Sequence, residues 1–521
     1  MDMDKRRKPA RKLPDVRLVG RAPVIGVLVG ALLGCGSVLA QSVTVTPSLD
    51  TSLTWTDNAG AAGGVSGGGE ADWVFEVSPG ISVSRTSGRL NGGLSARLRN
   101  LVYADDTDRN SSYLSLQGRG SFEAVEDLLF IDFDAGISRN NLSAFSGGAS
   151  GDRLSSQRSS ETRTWSIAPR LESDLRFGEA AVGAVEYSSR GISSGSDGLG
   201  NQNVETLGVR LSDPGGRRFL GWGVAYTRTD SDGGTAESSS RSAETLRGTL
   251  FANLSPQFRL RAIGGHESND YASGRRTSGD IVGAGFDWYP TDRTSITATV
   301  EDRLFGRGYN LGLNHRMRRS VWYLSASRDL SSTAQELGPG LTEASGQACL
   351  DFVSNPANFP EITDPLDRFQ LLLNCIARLT LRSNAAYVNQ SLSAGFSLLG
   401  VRNTLSFSVS RADRSLVSNI SSLLPGTDDF QNTDNVLTTS ATVAWSHRLT
   451  GTSALDASLT RTNSEGRDSS GLETKRLLAS LGLSRQLGPQ TQAGLRYRYQ
   501  KAEGSTDYTE NAVTATLGMR F

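Results

Sequence analysis

From residue 43 to the end of the chain, apolar and polar side chains alternate at every second position. In the last ten residues the apolar set is Val513, Ala515, Leu517, Met519 and Phe521, and the residues between them are small or polar. Side chains of an extended strand point alternately to opposite faces, so a period of two indicates a β-strand. The segment therefore predicts a strand with one apolar face and one wet face.

The same alternation recurs along the chain. It is clear in the segments that begin at Leu94, Leu129, Leu405, Leu455 and Leu495. A single such strand would fit the edge of a soluble β-domain. The pattern continues without a helical domain or a linker, which favours one large closed sheet over several small domains. The fold class predicted is all-β, with a single antiparallel barrel.

Connection lengths divide into two classes. Short turns such as 125–127 and 255–257 alternate with long loops rich in Ser, Gly, Asp and Asn. This is the layout of outer-membrane barrels, which have short periplasmic turns and long extracellular loops. We predict about 22 transmembrane strands (20–24), with both termini in the periplasm. The strands are expected to begin near residues 43, 73, 90, 111, 128, 162, 180, 202, 219, 242, 258, 277, 294, 309, 320, 383, 403, 434, 452, 472, 490 and 508.

The first 40 residues have the features of a secretory signal peptide. Eight Lys and Arg residues precede an apolar run from Ala22 to Ala40 that ends in small residues before Gln41. We predict that 1–40 are removed and that 41–521 form the barrel. A retained membrane helix and a lipoprotein site at Cys35 are the alternatives.

Composition restricts how the chain can cross a membrane. After Ala40 there is no run of 18 apolar residues, so strands must make any crossing. Without the first 40 residues, 46 basic groups face 51 acidic groups, a formal charge of −5. This balance gives no indication of a nucleic-acid partner.

The polar faces of the predicted strands carry charged residues of both signs. In a transmembrane barrel the apolar face contacts lipid and the polar face lines the lumen. The candidate lumen-facing residues are Arg97, Arg99, Arg119, Asp132, Asp134, Arg496 and Arg498.

One connection differs in kind from the others. The insert 331–382 is the longest break in the alternation and contains Cys349 and Cys375, the two cysteines that follow the signal. In an oxidising compartment we expect them to form a disulfide. Helical spacing of apolar residues after Asp364 predicts a partly helical element. We predict that it restricts the pore, with a lid on the outside as the alternative.

Enzyme chemistry finds little support in the sequence. His266, His315 and His447 lie on three different strands and do not converge, so interfacial positions fit them better than metal ligands or catalytic bases. The acidic clusters at 105–108 and 230–233 complete no EF-hand loop. We therefore expect a non-enzymatic protein with no cofactor, catalytic residue or metal site.

Two blocks carry a family resemblance: EDRLFGRGYNLGLNHRMRRSVWYLSASRDL at Glu301–Leu330 and NQSLSAGFSLLGVRNTLSFSVSRADR at Asn389–Arg414. Together with VTPSLDTSLTWTDNAG and EVSPGISVSR, they resemble outer-membrane proteins associated with the PEP-CTERM (exosortase) system of Gram-negative, exopolysaccharide-producing bacteria. The resemblance implies an outer-membrane barrel in an exopolysaccharide context. The C-terminal Phe521, with apolar residues at every second place before it, resembles the closing strand that the barrel assembly machinery reads.

These observations favour a barrel that takes part in export or surface organisation of exopolysaccharide, as a pore or a scaffold. Its expected partners are outer-membrane lipid and lipopolysaccharide, the barrel assembly machinery, and exopolysaccharide with its export proteins. A general diffusion porin and a surface-loop adhesin anchored by the barrel are the alternatives, and a barrel hydrolase is the third class.

Overall fold

A computed structural model describes residues 43–59, 70–86, 88–140, 143–145, 160–177, 181–194, 201–213, 219–233, 241–271, 276–336, 381–417, 424, 426–468, 471–504 and 507–521. The predicted signal peptide 1–40 lies outside these residues, as do Cys349 and Cys375. The disulfide therefore stays a prediction.

The described chain is built from β-strands, because in an extended strand the alternating residues place apolar side chains on one face and polar side chains on the other. The first eleven strands are β1 (Val43–Ala59), β2 (Glu70–Thr86), β3 (Leu90–Tyr103), β4 (Ser111–Val125), β5 (Leu129–Asn140), β6 (Ser160–Phe177), β7 (Ala181–Ser194), β8 (Asn201–Ser212), β9 (Leu220–Gly233), β10 (Arg241–Ser255) and β11 (Phe258–Asn269). The other eleven are β12 (Thr277–Thr291), β13 (Thr294–Arg303), β14 (Gly306–Arg316), β15 (Ser320–Ser331), β16 (Tyr387–Leu399), β17 (Asn403–Leu416), β18 (Asn435–Arg448), β19 (Ser453–Gly466), β20 (Glu473–Gln486), β21 (Thr491–Glu503) and β22 (Tyr508–Arg520).

Each strand pairs antiparallel with the next in the chain, and β1 pairs with β22 to close the sheet. Along this seam Ser48 lies opposite Arg520 and Thr56 opposite Ala512. The Phe521 N–H then donates to the Pro47 carbonyl at 2.9 Å. The prediction of one antiparallel barrel with 22 strands is confirmed.

The largest difference from the expected strand starts is at β16, which begins at Tyr387 and not near residue 383. Residues 381–386 are not part of the strand, because their backbone and side chains make contacts at the barrel mouth that are described below.

The two ends of the barrel differ. One end has turns such as 256–257, 292–293 and 400–402 together with both ends of the described chain. At Asp127 one of these turns adopts a φ of 52°, a left-handed conformation that Asp tolerates better than most residues. The other end carries connections such as 141–159, 332–386 and 417–434, and we call it the long-loop end.

The outer face keeps large apolar side chains exposed around the whole circumference. Leu53, Leu98, Val282 and Leu481 illustrate this on β1, β3, β12 and β20, with 43 to 67% of their surface accessible. Along each strand the side chains between them point to the other face, which is polar. We call this exposed apolar surface the belt.

Helical structure is minor in the described residues. It consists of α1 (Thr333–Glu336) and a 3-10 turn at Thr107–Arg109. No helix in the described ranges is long and apolar enough to span a bilayer. Of the predicted insert 331–382, only 331–336 and 381–382 are described, so the helical spacing expected after Asp364 lies outside the described residues.

Candidate functional site

The inner face of β1–β3 carries the first group of charged side chains. Arg99 on β3 pairs with Glu76 on β2 at 3.2 Å, and both side chains are 8% exposed. Ser78 also donates to Glu76 at 2.6 Å. Arg97 pairs with Asp50 on β1 at 3.0 Å in a more open position. Both arginines lie on the face opposite the exposed Leu98, so the strand alternation places them toward the lumen.

Arg119, Asp132 and Asp134 continue this group on β4 and β5. Arg119 lies directly opposite Asp134 in the strand register, and its charge attracts the carboxylate of Asp134. Asp132 binds Arg170 of β6 at 2.7 Å. Each carboxylate thus has a guanidinium on an adjacent strand.

Arg496 and Arg498 lie on β21, on the other side of the seam. Arg498 binds Glu510 of β22 at 2.7 Å, and the Thr56 hydroxyl of β1 donates to the same carboxylate at 2.9 Å. Arg496 lies 3.5 Å from Asp456 of β19. The seven charged residues singled out from the sequence therefore do not meet at one point. They spread over β3, β4, β5 and β21 as members of cross-strand ion pairs.

A second charged group escaped the sequence analysis. On β10–β15 the inner face holds four cross-strand ion pairs, two of which share Arg303. They are Arg247–Glu301 at 2.8 Å, Arg261–Asp287 at 2.8 Å, Arg303–Glu267 at 2.6 Å and Arg303–Asp329 at 2.9 Å. The period-two pattern that identified Arg97 also applies to these strands, so the signal was present in the sequence.

The wall formed by β15–β20 is different, because hydroxyl groups line its middle part. Neighbouring strands are joined there by side-chain hydrogen bonds. The pairs are Ser327–Ser391 at 2.8 Å, Ser397–Ser406 at 2.9 Å, Ser440–Thr462 at 3.1 Å, Thr442–Thr460 at 3.0 Å and Ser458–Ser480 at 2.8 Å. The lumen thus has a sector of neutralised ion pairs and a sector of hydroxyls.

At the long-loop end, three chain segments meet across the opening. They are residues 143–145 between β5 and β6, residues 381–386 before β16, and residues 426–434 before β18. β5 and β17 are twelve strands apart in one direction around the ring of 22 and ten in the other. The contact between their loops therefore spans the opening, and we call the three segments the mouth junction.

Two adjacent carboxylates hold the mouth junction together. Asp429 accepts hydrogen bonds from the Ser143 hydroxyl at 2.5 Å, the Ala144 N–H at 2.8 Å and the Arg382 N–H at 2.9 Å. Asp428 accepts from the Ser383 hydroxyl at 3.1 Å and from the Asn384 N–H at 3.0 Å. Loops from distant strands thus share acceptors on one dipeptide.

Burial sets the charge state of this dipeptide. It raises the pKa of Asp428 to about 6, against the opposing effect of the Phe430 and Asn384 N–H groups. Burial also raises the pKa of Asp429, although the Arg382 N–H and the Ser143 hydroxyl favour the ionised form. Asp428 therefore titrates close to physiological pH.

Apolar packing supports the hydrogen bonds of the mouth junction. Phe145, Leu381, Tyr387 and Phe430 are buried together, and the Tyr387 and Phe430 rings lie 5.8 Å apart. Large aromatic groups buried in this way supply most of the energy of a small cluster.

Further contacts tie the mouth junction to the opposite wall. The Gln202 amide of β8 donates to the Asn384 side chain at 2.5 Å, and Arg241 of β10 donates to the Asn384 carbonyl at 3.5 Å. Beside the mouth junction, Glu336 of α1 binds Arg414 of β17 at 2.8 Å and accepts a hydrogen bond from Asn389 of β16 at 2.6 Å. The mouth junction thus joins both sides of the opening.

The histidines do not form a site. His266 contacts Asp280, His315 contacts Thr294 and His447 contacts Asn403. Within the described ranges no group of three or more His, Cys, Asp and Glu residues is placed to hold a metal ion.

The acidic clusters noted in the sequence are also paired. Asp106 binds Arg109 at 2.6 Å and Asp230 binds Arg228 at 2.8 Å. These carboxylates act as local ion-pair partners at the long-loop end.

The terminal residues follow the predicted alternation. Val513, Ala515, Leu517 and Met519 lie opposite Trp55, Leu53, Thr51 and Leu49 of β1 in the strand register. Phe521 follows the last strand and keeps 64% of its surface exposed. A role of these residues in assembly stays a prediction.

Comparisons with known proteins identify no family. No family model matches this chain, and no curated protein matches it. Solved structures that match are a siderophore receptor PirA from Pseudomonas aeruginosa (12% identity, 93% of this chain and 81% of that chain, TM-score 0.44) and the FrpB iron transporter from Neisseria meningitidis (12%, 91% and 81%, TM-score 0.47). A siderophore receptor PirA from Acinetobacter baumannii matches with 10% identity over 93% and 81% and a TM-score of 0.48. At these values no function passes from those proteins to this chain.

Proposed function

We propose that this barrel spans the outer membrane of a Gram-negative bacterium and serves as a pore or scaffold in the export or surface organisation of exopolysaccharide. One observation carries the proposal: a closed 22-strand sheet exposes apolar side chains outward and encloses polar ones. A continuous exposed apolar surface is costly in water and is stabilised in lipid. The first and last residues of the described chain, which both lie at the short-turn end, would then face the periplasm, and the long-loop end would face the outside.

The chemistry of the inner wall is suited to the passage of a neutral solute with many hydroxyl groups. Many of its described arginines are paired with carboxylates on other strands, as in Arg99–Glu76 and Arg498–Glu510, so these arginines offer little free charge to select a small ion. The hydroxyl sector of β15–β20 offers donors and acceptors that exchange readily with the hydroxyls of a sugar chain. The PEP-CTERM resemblance gives the same context.

The mouth junction supports a regulated passage. Its segments cross the opening, so a polymer must displace them to leave by the long-loop end. A general diffusion porin would need an opening that small solutes pass at all times, and an adhesin would need no passage at all.

Deletion of the gene, with separate measurement of secreted and periplasmic polysaccharide, tests the proposal. We expect secreted polysaccharide to fall and periplasmic polysaccharide to rise. Unchanged amounts in both fractions, together with a channel that conducts small ions steadily in planar bilayers, would favour the porin. Loss of surface attachment with unchanged polysaccharide would favour the adhesin.

A further inference from the structure

The outer face has an ordered charge pattern just above the belt at the long-loop end. Four ion pairs there join residues two positions apart on the same strand, and in each pair the cation lies nearer the belt. The pairs are Arg163–Glu161 at 2.7 Å, Arg228–Asp230 at 2.8 Å, Lys475–Glu473 at 2.9 Å and Lys501–Glu503 at 2.5 Å. A tier of cations thus lies directly against the apolar surface, with acids beyond it.

Arg411 and Arg461 lie in the same tier but differ from the four paired cations just named. Arg411 follows Val409 by two positions on β17, and Arg461 follows Leu459 by two on β19, so both are the first charged outward residues above the belt. Both are exposed, and among the described residues no ion pair involves either of them. Asp413, the nearest outward acid on β17, is occupied by Arg467 at 3.0 Å.

The strand register fixes how far apart these two arginines are. Arg411 lies opposite Thr439 and Arg461 opposite Ala441, on either side of β18. With strands about 4.8 Å apart and a rise of about 3.4 Å per residue, their Cα atoms are separated by about 12 Å. Long guanidinium side chains can close most of that distance, so the pair can hold one ligand with two anionic groups.

We propose that Arg411 and Arg461 form a docking surface for a phosphorylated glycolipid of the outer leaflet, whose acyl chains lie on the belt below them. The inference rests on the proposed placement of the barrel in the outer membrane. Charge complementarity selects the occupant: a lipid of this class carries its phosphates directly above its acyl chains, at the height of the two guanidinium groups. Arg binds phosphate through paired N–H donors, which gives both affinity and orientation.

Lys475 and Lys501 extend this surface on β20 and β21. They are the only lysines after residue 40, and each is about 43% exposed. Their partners Glu473 and Glu503 are also exposed, and such pairs exchange easily with a stronger anion. The glycolipid would thus contact four cations on one side of the barrel, on β17, β19, β20 and β21.

The test is titration of the purified full-length barrel in detergent with diphosphoryl lipid A, measured by native mass spectrometry. Each of the variants R411Q and R461Q is expected to raise the dissociation constant about tenfold. The matched control is R163Q, which removes a cation of the same tier that Glu161 already neutralises, and it is expected to leave the constant within about twofold. Lipid A without phosphates is expected to bind at least tenfold more weakly than the diphosphoryl form.

Equal binding of the phosphorylated and unphosphorylated lipids would overturn the inference, as would the same loss in R163Q as in R411Q. Displacement of bound lipid by millimolar inorganic phosphate would show a simple phosphate site and would also overturn it. Flotation of the reconstituted barrel with vesicles is measured in parallel. A barrel that floats but does not discriminate between the lipids contradicts only this inference, whereas a barrel that fails to float contradicts the proposed function.

Discussion

The Ser143 hydroxyl donates a hydrogen bond of 2.5 Å to Asp429 although 286 residues separate the two in the chain. Ser143 belongs to the connection after β5 and Asp429 to the connection after β17, on nearly opposite sides of the barrel. The bond is therefore direct evidence that the long-loop end is spanned by protein.

Asp429→Ala should open the mouth junction. The substitution removes the carboxylate that accepts three hydrogen bonds, and the Ala144 and Arg382 N–H groups lose this acceptor. Each buried donor left unpaired costs about 1–3 kcal/mol, so we expect the segments to separate and single-channel conductance to rise in planar bilayers. Asp468→Ala is the control, since Asp468 is an exposed turn residue at the same end. A conductance that is equal in both variants would contradict a closure by these segments.

The mouth junction should be tighter in mild acid. The folded-state pKa of Asp428 is about 6 and its ordinary value 3.8, so the folded state binds the proton more strongly. Protonated Asp428 therefore stabilises the folded state fully below pH 3.8, and this stabilisation is lost as the pH rises through 6. The total change in the free energy of unfolding is roughly 3 kcal/mol. Asp429 shifts in the same direction. Hydrogen exchange at the Asn384 and Phe430 amides should be slower at pH 5 than at pH 7.5, after correction for intrinsic exchange.

Asp428→Asn provides the control for this pH dependence, because the amide keeps an acceptor oxygen and does not titrate between pH 5 and 7.5. We expect a smaller difference in protection between pH 5 and pH 7.5 in this variant. The same difference as in the native chain would assign the effect to another group.

Arg99→Ala and Arg97→Ala should differ strongly in stability. Arg99 and Glu76 are both 8% exposed, so loss of the guanidinium leaves a buried carboxylate, at a cost of about 3–5 kcal/mol. Arg97 and Asp50 are 35% and 43% exposed, and a pair of that kind contributes about 0–1 kcal/mol. The temperature at which the barrel loses its compact gel mobility should fall for the first variant only. Equal temperatures would show that water reaches Glu76.

Phe521→Asp should lower the amount of assembled barrel without affecting export across the inner membrane. The prediction follows from the terminal apolar alternation and from the exposed position of Phe521 beside Pro47. Leu487→Asp is a suitable control, because Leu487 is an exposed apolar residue of a short turn at the same end. Normal heat-modifiable mobility of the Phe521 variant on gels would contradict the prediction.

Cys349 and Cys375 should be bridged in the mature protein. Thiol labelling of unreduced, denatured protein is expected to find neither cysteine, and labelling after reduction should find both. On the chain-entropy model, closure of the loop between them stabilises the fold by roughly 3 kcal/mol. Labelling of both thiols without reduction would exclude the bridge.

The number and the faces of the strands could be predicted because their signal is local. Leu98 and Arg99 are neighbours, and their opposite chemistry is enough to assign them to opposite faces of β3. The same rule gave the start of β17 at residue 403, where the structure has it. A closed barrel then follows, since consecutive amphipathic hairpins have no other common solution that covers every edge.

The mouth junction could not be predicted in this way. Asp428 and Asp429 lie in an irregular loop, and their partners Ser143 and Ser383 lie in other loops, so no period connects them. Tyr387 was correctly expected to lie in a strand, but its burial could not be predicted. That burial depends on contact with Phe430, which lies 43 positions later in the chain. Contacts that depend on how loops fold over an opening leave no regular trace in the sequence.

The seam between β1 and β22 affects the order in which the strands pair during folding. Its nine residue pairs, from Ser48–Arg520 to Thr56–Ala512, join segments such as Thr54 and Thr514 that are 460 residues apart. Bringing such distant segments together costs roughly 5 kcal/mol of loop-closure entropy, whereas adjacent hairpins close over short turns. The seam is therefore the slowest pairing to form, and until it forms two long strand edges offer unpaired N–H and C=O groups to any other chain. The yield of this protein depends on how briefly it stays in that open state.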